Sequence, residues 1–442
     1  MVKNMNFDPK ALDKLKKAVI SLTGSISDYG DLFDYIGDAQ VVLLGEATHG
    51  THEFYDIRAE ISKYLIEEKG FNAIAIEGDW PDAHEINQYV HNQKYKNATQ
   101  ALASFDRFPT WMWRNTPTLK FVEWLKSYNQ TALQKVGFYG LDLYSLYRSM
   151  DVIIHELEKI DPVVANEVKY YYSCFEQYRH DPQAYGYAVF AGHIKACESE
   201  VIEQLKKMHQ ETLRYRAEDK INVGQVLNLE QNALVVKNAE KYYRELFFDN
   251  VSNWNLRDSH MFSTLNALIK HYHLEGIEKP KIIVWAHNSH VGNALATQMS
   301  KNGEYNIGQL AKEKFGNNAV CVGFTTYNGT VSAAYNWHQP VDRKFVRDAL
   351  PESYEALFHA LEIPNFLLLL QNKEIVPRQM LERAIGVVYR PETERASHYF
   401  YAKLADQFDA VIHCDKTHAV EPLEKTSRWL EGEIPETYPS GE

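Results

Sequence analysis

The sequence is poor in cysteine, in long apolar runs and in positive charge. Its four cysteines, Cys174, Cys197, Cys321 and Cys414, are widely spaced and form no CxxC pair. This spacing argues against a disulfide scaffold and against a cysteine-rich zinc site. Apolar runs such as residues 366–370 are far shorter than the roughly 18 residues that a membrane-spanning helix needs. Because residues 1–19 also lack the apolar segment of a signal peptide, we expect a cytoplasmic protein that does not enter a membrane.

The balance of charge disfavours nucleic acid as a partner. Lys and Arg together number 47 against 59 Asp and Glu, for a formal net charge of −12. No basic surplus is present to displace counterions from a phosphate backbone. The 442 residues are enough for two or three structural units, or for one large α/β body with an insertion. We therefore expect a globular protein that acts on a small molecule.

Short apolar runs predict a mostly parallel β-sheet flanked by helices. These runs are rich in β-branched residues and do not alternate with polar residues, as is typical of strands that are covered on both faces. They comprise residues 41–44, 73–76, 136–139, 282–285, 320–324, 366–370, 385–388 and 410–412. A helix is predicted over Glu53–Lys69, with Gly70 as its stop signal, and another begins at Thr116 with Pro117 in its first turn.

The middle of the chain has a different pattern. Strand signals disappear between Leu146 and Leu274, where helical periodicity and charged faces dominate, and they return near Lys281. We predict an α/β fold with an all-helical cap insertion over the ligand crevice. The corresponding divisions are residues 1–145 and 275–442 for the two parts of the α/β core and residues 146–274 for the cap. A separate helical domain is the alternative.

Polar residues that directly follow the predicted strands are the candidate site residues. The carboxyl ends of parallel strands meet at one edge of the sheet, where open α/β sheets bind their ligands. The candidates at these ends are Glu46, His49, Glu77, Asp79, Asp142, His287 and His290. Each has a structural alternative: Glu46 can face a helix dipole, the histidines can be buried hydrogen-bonding groups, and an N-cap role is favoured for Asp79. Arg58, on the helix that follows His49, can equally form an ordinary ion pair.

Motifs for other kinds of chemistry are absent from the sequence. It contains no GxSxG nucleophile elbow, no P-loop and no GxGxxG. The zincin pattern HExxH fails twice, at His52-Glu53 and at His84-Glu85, because neither pair is followed by a second histidine at the required position. What remains is a set of Glu and His residues without an evident Ser or Cys nucleophile. Such a set can activate water directly by general-base catalysis, or it can hold a metal ion that does so.

These residues closely resemble the erythromycin esterase family, some members of which carry succinoglycan-biosynthesis labels. The matching stretches are residues 44–54, Arg58, residues 76–80 and residues 285–290, with further similarity at 390–394, 397–400, 407–410 and 417–422. The resemblance implies hydrolysis of a macrolactone or another carboxylic ester by activated water, without a covalent intermediate and without a cofactor.

The resemblance also implies a role for each matching residue. His49 would be the general base, and Glu46 would orient it. Arg58 and Glu77 would order the site, while His287 would position the water or stabilise the oxyanion. His290, together with Asp79 and Asp142 at the strand ends, is expected to bind substrate.

Two other functions stay open at this point. In the first, His49, His287, Glu46 and Glu77 hold zinc or manganese in a metal-dependent hydrolase, since imidazole and carboxylate suit both ions. In the second, the crevice belongs to a carbohydrate- or small-molecule-binding protein that has lost turnover. We favour the hydrolase that needs no metal, because the residues match no known metal spacing and a binding protein does not need an acid–base cluster.

Overall fold

The structure is a computed structural model that describes residues 7–179, 181–248 and 250–432. Expectations about the first six residues lie outside this range. The strands are β1 (Ile20–Ser21), β2 (Val41–Leu44), β3 (Ala73–Asp79), β4 (Gly137–Asp142), β5 (Ile282–Trp285), β6 (Ala319–Ala333), β7 (Asp342–Val346), β8 (Asn365–Leu369), β9 (Met380–Arg383), β10 (Tyr399–Ala402) and β11 (Ala410–Thr417).

The helices fall into three stretches of the chain. Before the central helical segment lie α1 (Pro9–Lys16), α2 (Gly30–Ile36), α3 (His52–Lys69), α4 (Trp80–Val90), α5 (Ala98–Leu102) and α6 (Thr116–Thr131). The segment itself contains α7 (Leu146–Ile160), α8 (Pro162–Tyr172), α9 (Pro182–Phe190), α10 (Glu198–Ala217), α11 (Val223–Glu245) and α12 (Asn250–Leu274). After it come α13 (Asn288–Val291), α14 (Ile307–Phe315), α15 (Tyr354–His359), α16 (Glu394–Ser397), α17 (Leu404–Gln407) and α18 (Ser427–Glu431).

One sheet forms the centre of the molecule. Its strand order is β1-β8-β11-β6-β2-β5-β3-β4, with β7 paired to β6 outside this path. The six strands from β11 to β4 run parallel, whereas β8, β1 and β7 pair antiparallel. Strands from both sides of the central helical segment alternate in this order, since β5 lies between β2 and β3. The prediction of one mostly parallel sheet built from both parts of the chain is confirmed.

Apolar side chains cover both faces of the sheet, as the non-alternating runs predicted. In β2, Val42 and Leu44 pack into the core on one face, and Val41 and Leu43 pack into the core on the other. The helix that follows β2 begins at His52 and ends before Gly70, which adopts a left-handed conformation with φ 69°. Only glycine reaches this region without a steric cost. Gly70 therefore ends the helix, as the sequence predicted.

Helices α7 to α11 share a separate hydrophobic core. The last helix of the segment, α12, instead packs its apolar side chains, among them Met261 and Leu265, into the core on one face of the sheet. Between Leu146 and Leu274 the described residues contain helices and no strand. The proposed division into residues 1–145, 146–274 and 275–442 stays a prediction.

Two expectations from the sequence differ from the structure. Residues 385–388 form no strand and make only isolated bridges at Ile385 and Val388, because the short sheet of this region is built by β9 and β10. Cys174 and Cys197 are joined by a disulfide although 23 residues separate them in sequence. The fold of the helical segment brings these two cysteines together, which their spacing did not indicate. None of the described helices is both long enough and apolar enough to cross a membrane.

Gly50 allows a close backbone approach next to the end of β2. Its carbonyl accepts hydrogen bonds from the backbone N–H groups of Ser332 and Val420 at 3.0 and 2.8 Å. A Cβ atom placed on Gly50 would lie 1.9 Å from the carbonyl oxygen of Ser332. Real Cβ atoms do not approach backbone this closely, so a larger residue would have to separate the two segments.

We predict that Gly50→Ala lowers the free energy of unfolding by about 2 kcal/mol, a usual cost of overpacking. Urea unfolding monitored by circular dichroism measures this change. The control is Gly386→Ala, because nothing lies within 4 Å of a Cβ at that position, and it should change stability by less than about 0.5 kcal/mol. Equal stability of the two variants would show that the Gly50 backbone moves away at little cost.

Candidate active site

The carboxyl ends of β2, β5, β3 and β4 deliver the candidate residues to one edge of the sheet. Strands β2, β5 and β3 end at the same level in the sheet, because Leu44 pairs with Trp285 and Trp285 pairs with Ile76. The backbone N–H of Asn288 donates to the carbonyl of Glu46 at 2.8 Å and ties the chain after β5 to the chain after β2. The side chains that follow these strands therefore converge, as the sequence predicted.

His49 is held by a buried carboxylate. Its Nδ1 lies 2.8 Å from Oε1 of Glu46, and Oε2 of Glu46 accepts a hydrogen bond from Nη2 of Arg58 at 2.6 Å. Glu46 and Arg58 are fully buried, and His49 is 7% exposed. A carboxylate can accept hydrogen bonds but cannot donate them. The proton in this contact is therefore on Nδ1 of His49, and Nε2 of the same ring is free to accept a proton.

Aromatic rings surround the Arg58 guanidinium. Its central carbon lies 4.5 Å from the ring centre of Tyr55 and 5.2 Å from that of Trp285. The ring faces attract the cation where water cannot reach it. The hydroxyl of Tyr55 also donates to the carbonyl of His49 at 2.9 Å. One helix, α3, thus supplies both the counter-ion of Glu46 and a backbone anchor for His49.

His287 faces His49 and has a defined tautomer. The two rings are 4.9 Å apart between centres. The backbone N–H of Ser289 donates to Nδ1 of His287 at 3.3 Å, so the ring proton must be on Nε2. Among the described residues Nε2 is buried and has no partner in good hydrogen-bonding geometry, although the backbone carbonyl of Ala47 lies close enough to favour protonation of the ring. Burial, followed by the nearby His49, lowers the pKa of His287 to about 3. The residue is therefore a neutral donor with an unused N–H group.

Glu77 connects the two imidazoles to the helical segment. Its Oε2 accepts from the backbone N–H of His287 at 2.8 Å, and its Oε1 accepts from Nη2 of Arg257 at 2.7 Å. Oε1 also lies 3.8 Å from Nε2 of His49. Burial raises the pKa of Glu77, but His290, Arg257 and His49 together outweigh it and hold the pKa well below its usual range. Glu77 is thus a buried anion at neutral pH.

His290 lies in an ionic network with Asp258, Arg257 and Glu77. Its Nδ1 lies 3.0 Å from both carboxylate oxygens of Asp258, and its Nε2 lies 2.9 Å from Nη1 of Arg257 and 3.4 Å from Oε1 of Glu77. The ring stacks on Trp254 with 4.5 Å between centres. Burial lowers the pKa of His290, yet Asp258 and Glu77 outweigh this effect and the opposing Arg257 and raise it to about 9.

The carboxylates of Asp79 and Asp142 are already bound to arginines. Asp79 occupies the N-cap position of α4 but makes no side-chain capping bond. It accepts instead from Nη1 of Arg107 at 2.8 Å and from the backbone N–H of Tyr144 at 2.9 Å, so Asp79 is the N-cap residue as predicted, but its side chain does not cap the helix. Asp142 accepts from Nε and Nη2 of Arg257 at 3.0 and 2.6 Å. Their roles as substrate-binding residues stay predictions.

Three residues of this network come from α12 and were missed from the sequence. Trp254, Arg257 and Asp258 lie in a helical stretch where charged residues are expected to face solvent. The only signal available was an Arg-Asp pair among apolar residues. Arg257 is the most connected of the three, because it contacts Glu77, Asp142 and His290. The helical segment thus contributes directly to the charge balance of the site.

The hydrogen bonds leave few atoms available to a metal ion. Both oxygens of Glu46 and both of Glu77 accept from nitrogen donors, and Nδ1 of each histidine is engaged. Across residues 7–179, 181–248 and 250–432, no group of three or more His, Cys, Asp or Glu side chains is arranged to hold a metal ion. The arrangement offers instead one free imidazole acceptor on His49 and one free donor on His287.

Known proteins resemble this chain over most of its length. The erythromycin esterase type II of Escherichia coli is 22% identical over 420 residues, which cover 89% of this chain and 93% of that protein. The erythromycin esterase type I of Escherichia coli is 24% identical over 338 residues, with 69% and 74% covered. The crystal structure of a succinoglycan biosynthesis protein superposes with a TM-score of 0.74 at 21% identity, over 93% of this chain and 98% of that one.

The structural likeness confirms the predicted α/β fold class. The model of the erythromycin esterase family matches residues 66–417, a span that contains Glu77, His287 and most of the sheet. This match covers far more than half of the sequence, and it agrees with the resemblance seen in the strand-end residues. The protein therefore belongs to the erythromycin esterase family.

Proposed function

We propose that this protein hydrolyses carboxylic esters, lactones included, with a water molecule that His49 activates and without a covalent intermediate. One observation carries the proposal. The chain of bonds from Arg58 through Glu46 to Nδ1 of His49 leaves Nε2 as an acceptor, and the neutral ring of His287, whose Nε2–H has no well-placed partner among the described residues, lies 4.9 Å away between ring centres. An acceptor and a donor placed side by side are what the attack of water on a carbonyl group requires.

The first half of the reaction uses the free nitrogen of His49. Nε2 takes a proton from water as the water oxygen bonds to the carbonyl carbon. The carbonyl π electrons move to oxygen, which becomes an oxyanion. Glu46 stabilises the imidazolium that forms, because its carboxylate already accepts the Nδ1 proton. Removing a positioned base typically costs about 10²–10⁴-fold in rate.

The second half expels the alcohol. The oxyanion re-forms the carbonyl, the bond to the alkoxy oxygen breaks, and the Nε2 proton of His49 passes to that oxygen. His287 stabilises the intermediate with its Nε2–H. Its lowered pKa keeps it neutral, so it donates a hydrogen bond without being consumed as an acid. The loss of one such donor typically costs about 10²–10³-fold.

Ser289 places a hydroxyl group against the ring of His287, but its position does not suit a nucleophile. Its Oγ lies 2.8 Å from Nδ1 of His287, on the side of the ring opposite the unused Nε2. A histidine whose pKa is about 3 is also too weak a base to deprotonate a serine. The direct attack of water therefore fits the site better than an acyl-enzyme.

The substrate class follows from the chemistry and from the relatives. The donor and acceptor pair suits an ester carbonyl, and two of the relatives are named erythromycin esterases. We therefore propose an ester of a bulky alcohol or a large lactone as substrate. Erythromycin and simple activated esters such as p-nitrophenyl acetate are the appropriate probes.

We predict that His49→Asn lowers kcat at least about 10²-fold on the best ester substrate, because water then lacks its base. Steady-state kinetics on purified protein measure the change, and circular dichroism verifies that the variant is folded. The matched control is His52→Asn, since His52 pairs with the half-exposed Asp56 on the outer face of α3. Its turnover should stay within a few fold of the wild-type value.

A folded His49→Asn protein with wild-type activity would contradict the assignment of the base. Equal damage from His49→Asn and His52→Asn would instead mean that the two histidines act as a pair. That result would favour the metal-dependent hydrolase.

We predict that activity does not depend on a tightly bound metal ion. The oxygens of Glu46 and Glu77 are occupied by hydrogen-bond donors, which leaves too few free ligand atoms for a protein-held ion. Dialysis against EDTA should leave kcat/KM within about two-fold of its starting value, since a proton-transfer mechanism needs no Lewis acid. Stoichiometric zinc or manganese found by elemental analysis, with activity lost on its removal and restored on its return, would overturn this prediction.

The pKa of His290 predicts a pH-dependent contribution to stability. Its ordinary value is near 6.5 and its value in the fold is about 9. A raised pKa stabilises the folded state fully below about pH 6.5, and this contribution is lost as pH rises through about 9. The difference in free energy of unfolding between wild type and His290→Gln should therefore become smaller as the pH rises from 6 to 9.5.

Urea unfolding at the two pH values tests this prediction. The control is His209→Gln, whose imidazole is 64% exposed and whose difference from wild type should vary by less than about 0.5 kcal/mol. A difference for His290→Gln that stays constant or grows with pH would show that His290 is not a cation in the folded protein.

A further inference from the structure

Trp337 is a large aromatic residue that the fold leaves exposed. It lies in the turn between β6 and β7 and is 66% exposed. Its ring is 5.6 Å from that of Phe108, and the ring of His338 is 5.3 Å from the same phenyl group. Exposed aromatic clusters on a soluble protein commonly mark a binding surface. We call the three residues Phe108, Trp337 and His338 the aromatic rim.

Backbone contacts connect the segment that leads to Trp337 with the residue that follows the candidate base. The strand that leads to Trp337 passes Gly50, where the backbone N–H of Ser332 donates to the Gly50 carbonyl at 3.0 Å. Gly50 directly follows His49 in the chain. Only four residues separate Ser332 from Trp337, so the turn emerges from the edge of the sheet that holds His49.

The other end of the rim lies beside β3. Arg107 precedes Phe108 and donates from Nη1 to Oδ2 of Asp79 at 2.8 Å. Phe108 also packs edge-on against Trp111, which is buried, with 5.3 Å between ring centres. The contact of Phe108 with Trp337 therefore links the chain that follows β3 to the turn that follows β6.

The helical segment also borders the site, and Nη2 of Arg107, next to Phe108, contacts the hydroxyl of Tyr243 at 3.5 Å. Arg257 reaches Glu77 from α12, and the hydroxyl of Tyr243 on α11 donates to the carbonyl of Tyr144 at 2.9 Å. The β2–α3 and β5–α13 connections carry His49 and His287, and their strands β2 and β5 lie between β6 and β3 in the sheet. A substrate that places its carbonyl between the two histidines must extend toward one border or the other.

The two borders differ in chemistry. The helical border presents charged groups that are already paired, such as Arg257 with Asp142. The rim presents flat aromatic surface, and the nearest charge, on Arg107, is paired with Asp79. The backbone of His338 is left-handed, with φ 63°, a conformation that non-glycine residues adopt only when the surrounding structure holds them there. The turn thus has a defined shape around Trp337.

We propose that Trp337 and Phe108 bind the apolar face of a bulky ester and set the preference of the enzyme for large over small substrates. This proposal rests on the proposed ester hydrolysis. Trp337 supplies the exposed stacking surface, and Phe108, anchored on Trp111, holds it in place. Neither residue touches the reacting atoms, so the rim acts on substrate affinity and not on proton transfer.

Binding to an inactive protein tests the rim separately from the chemistry. Isothermal titration calorimetry would measure the Kd of erythromycin for the His49→Asn protein and for the same protein with Trp337→Ala added. We expect about a 10-fold weaker Kd with Trp337→Ala, the usual size of effect for truncating an aromatic anchor. Trp337→Phe should recover most of the affinity, because a flat apolar ring is retained.

Tyr170→Ala is the matched control, since Tyr170 is 78% exposed on α8 and, among the described residues, its ring contacts the ring of its neighbour Tyr171 and no other aromatic ring. Its Kd should equal that of the parent. In the otherwise wild-type protein, Trp337→Ala should lower the ratio of kcat/KM for erythromycin to that for p-nitrophenyl acetate by about 10-fold.

Each outcome supports or overturns the proposed role of the aromatic rim in substrate binding. A Kd that Trp337→Ala leaves unchanged, or changes only as much as Tyr170→Ala does, overturns the proposal, and so does an absence of erythromycin binding to the parent. A wild-type protein that hydrolyses no ester refutes the proposed function, while loss of erythromycin binding on Trp337→Ala would still establish the rim as a ligand-binding surface.

Discussion

The buried ion pair between Arg58 and Glu46 is the interaction on which the candidate site depends. Both side chains are removed from water, and breaking a pair of this kind by removing one partner commonly costs about 3–5 kcal/mol because the other charge is left unpaired. The pair fixes one oxygen of Glu46 and so aims the other at Nδ1 of His49. The tautomer of His49 is thus determined by Arg58, a buried cation held between the rings of Tyr55 and Trp285.

A second set of charged side chains lies near this pair but makes no hydrogen bond to it. Glu77 joins the backbone of His287 to Arg257, and Arg257 in turn joins Asp142 and His290. Each carboxylate has a cation or an N–H donor beside it, so buried charges that would be costly alone are compensated. The result is a site with opposite properties on its two imidazoles: an acceptor nitrogen on His49 and a neutral donor on His287.

The sequence predicted the sheet well because its strands are apolar on both faces. The runs at 41–44 and 282–285 coincide with β2 and β5, and the rule that parallel strand ends converge placed Glu46, His49, Glu77 and His287 together. Where tertiary contacts decide, the prediction failed. Arg257 and Asp258 look like solvent-facing charges on a helix, and Cys174 meets Cys197 only after several helices pack.

The remaining errors have the same origin. Residues 385–388 are apolar enough for a strand, but their backbone finds only isolated partners at Ile385 and Val388. Asp79 stands at a helix N-terminus, where a capping bond is usual, yet Arg107 from a distant loop takes its carboxylate. Local propensity describes what a segment can do, and long-range partners determine what it does.

The position of β5 has a consequence for how the chain is made. Strands β2 and β3 are synthesised early but are not neighbours, because β5 fills the gap between them. A nascent chain that stops before Ile282 therefore leaves the facing edges of β2 and β3 without their ladder partner, and unpaired edges invite association with other chains. The central part of the sheet can be completed only after more than half of the protein has left the ribosome. While the central helices are being translated, the facing edges of β2 and β3 are therefore shielded from other chains only by the helices that already pack on these strands.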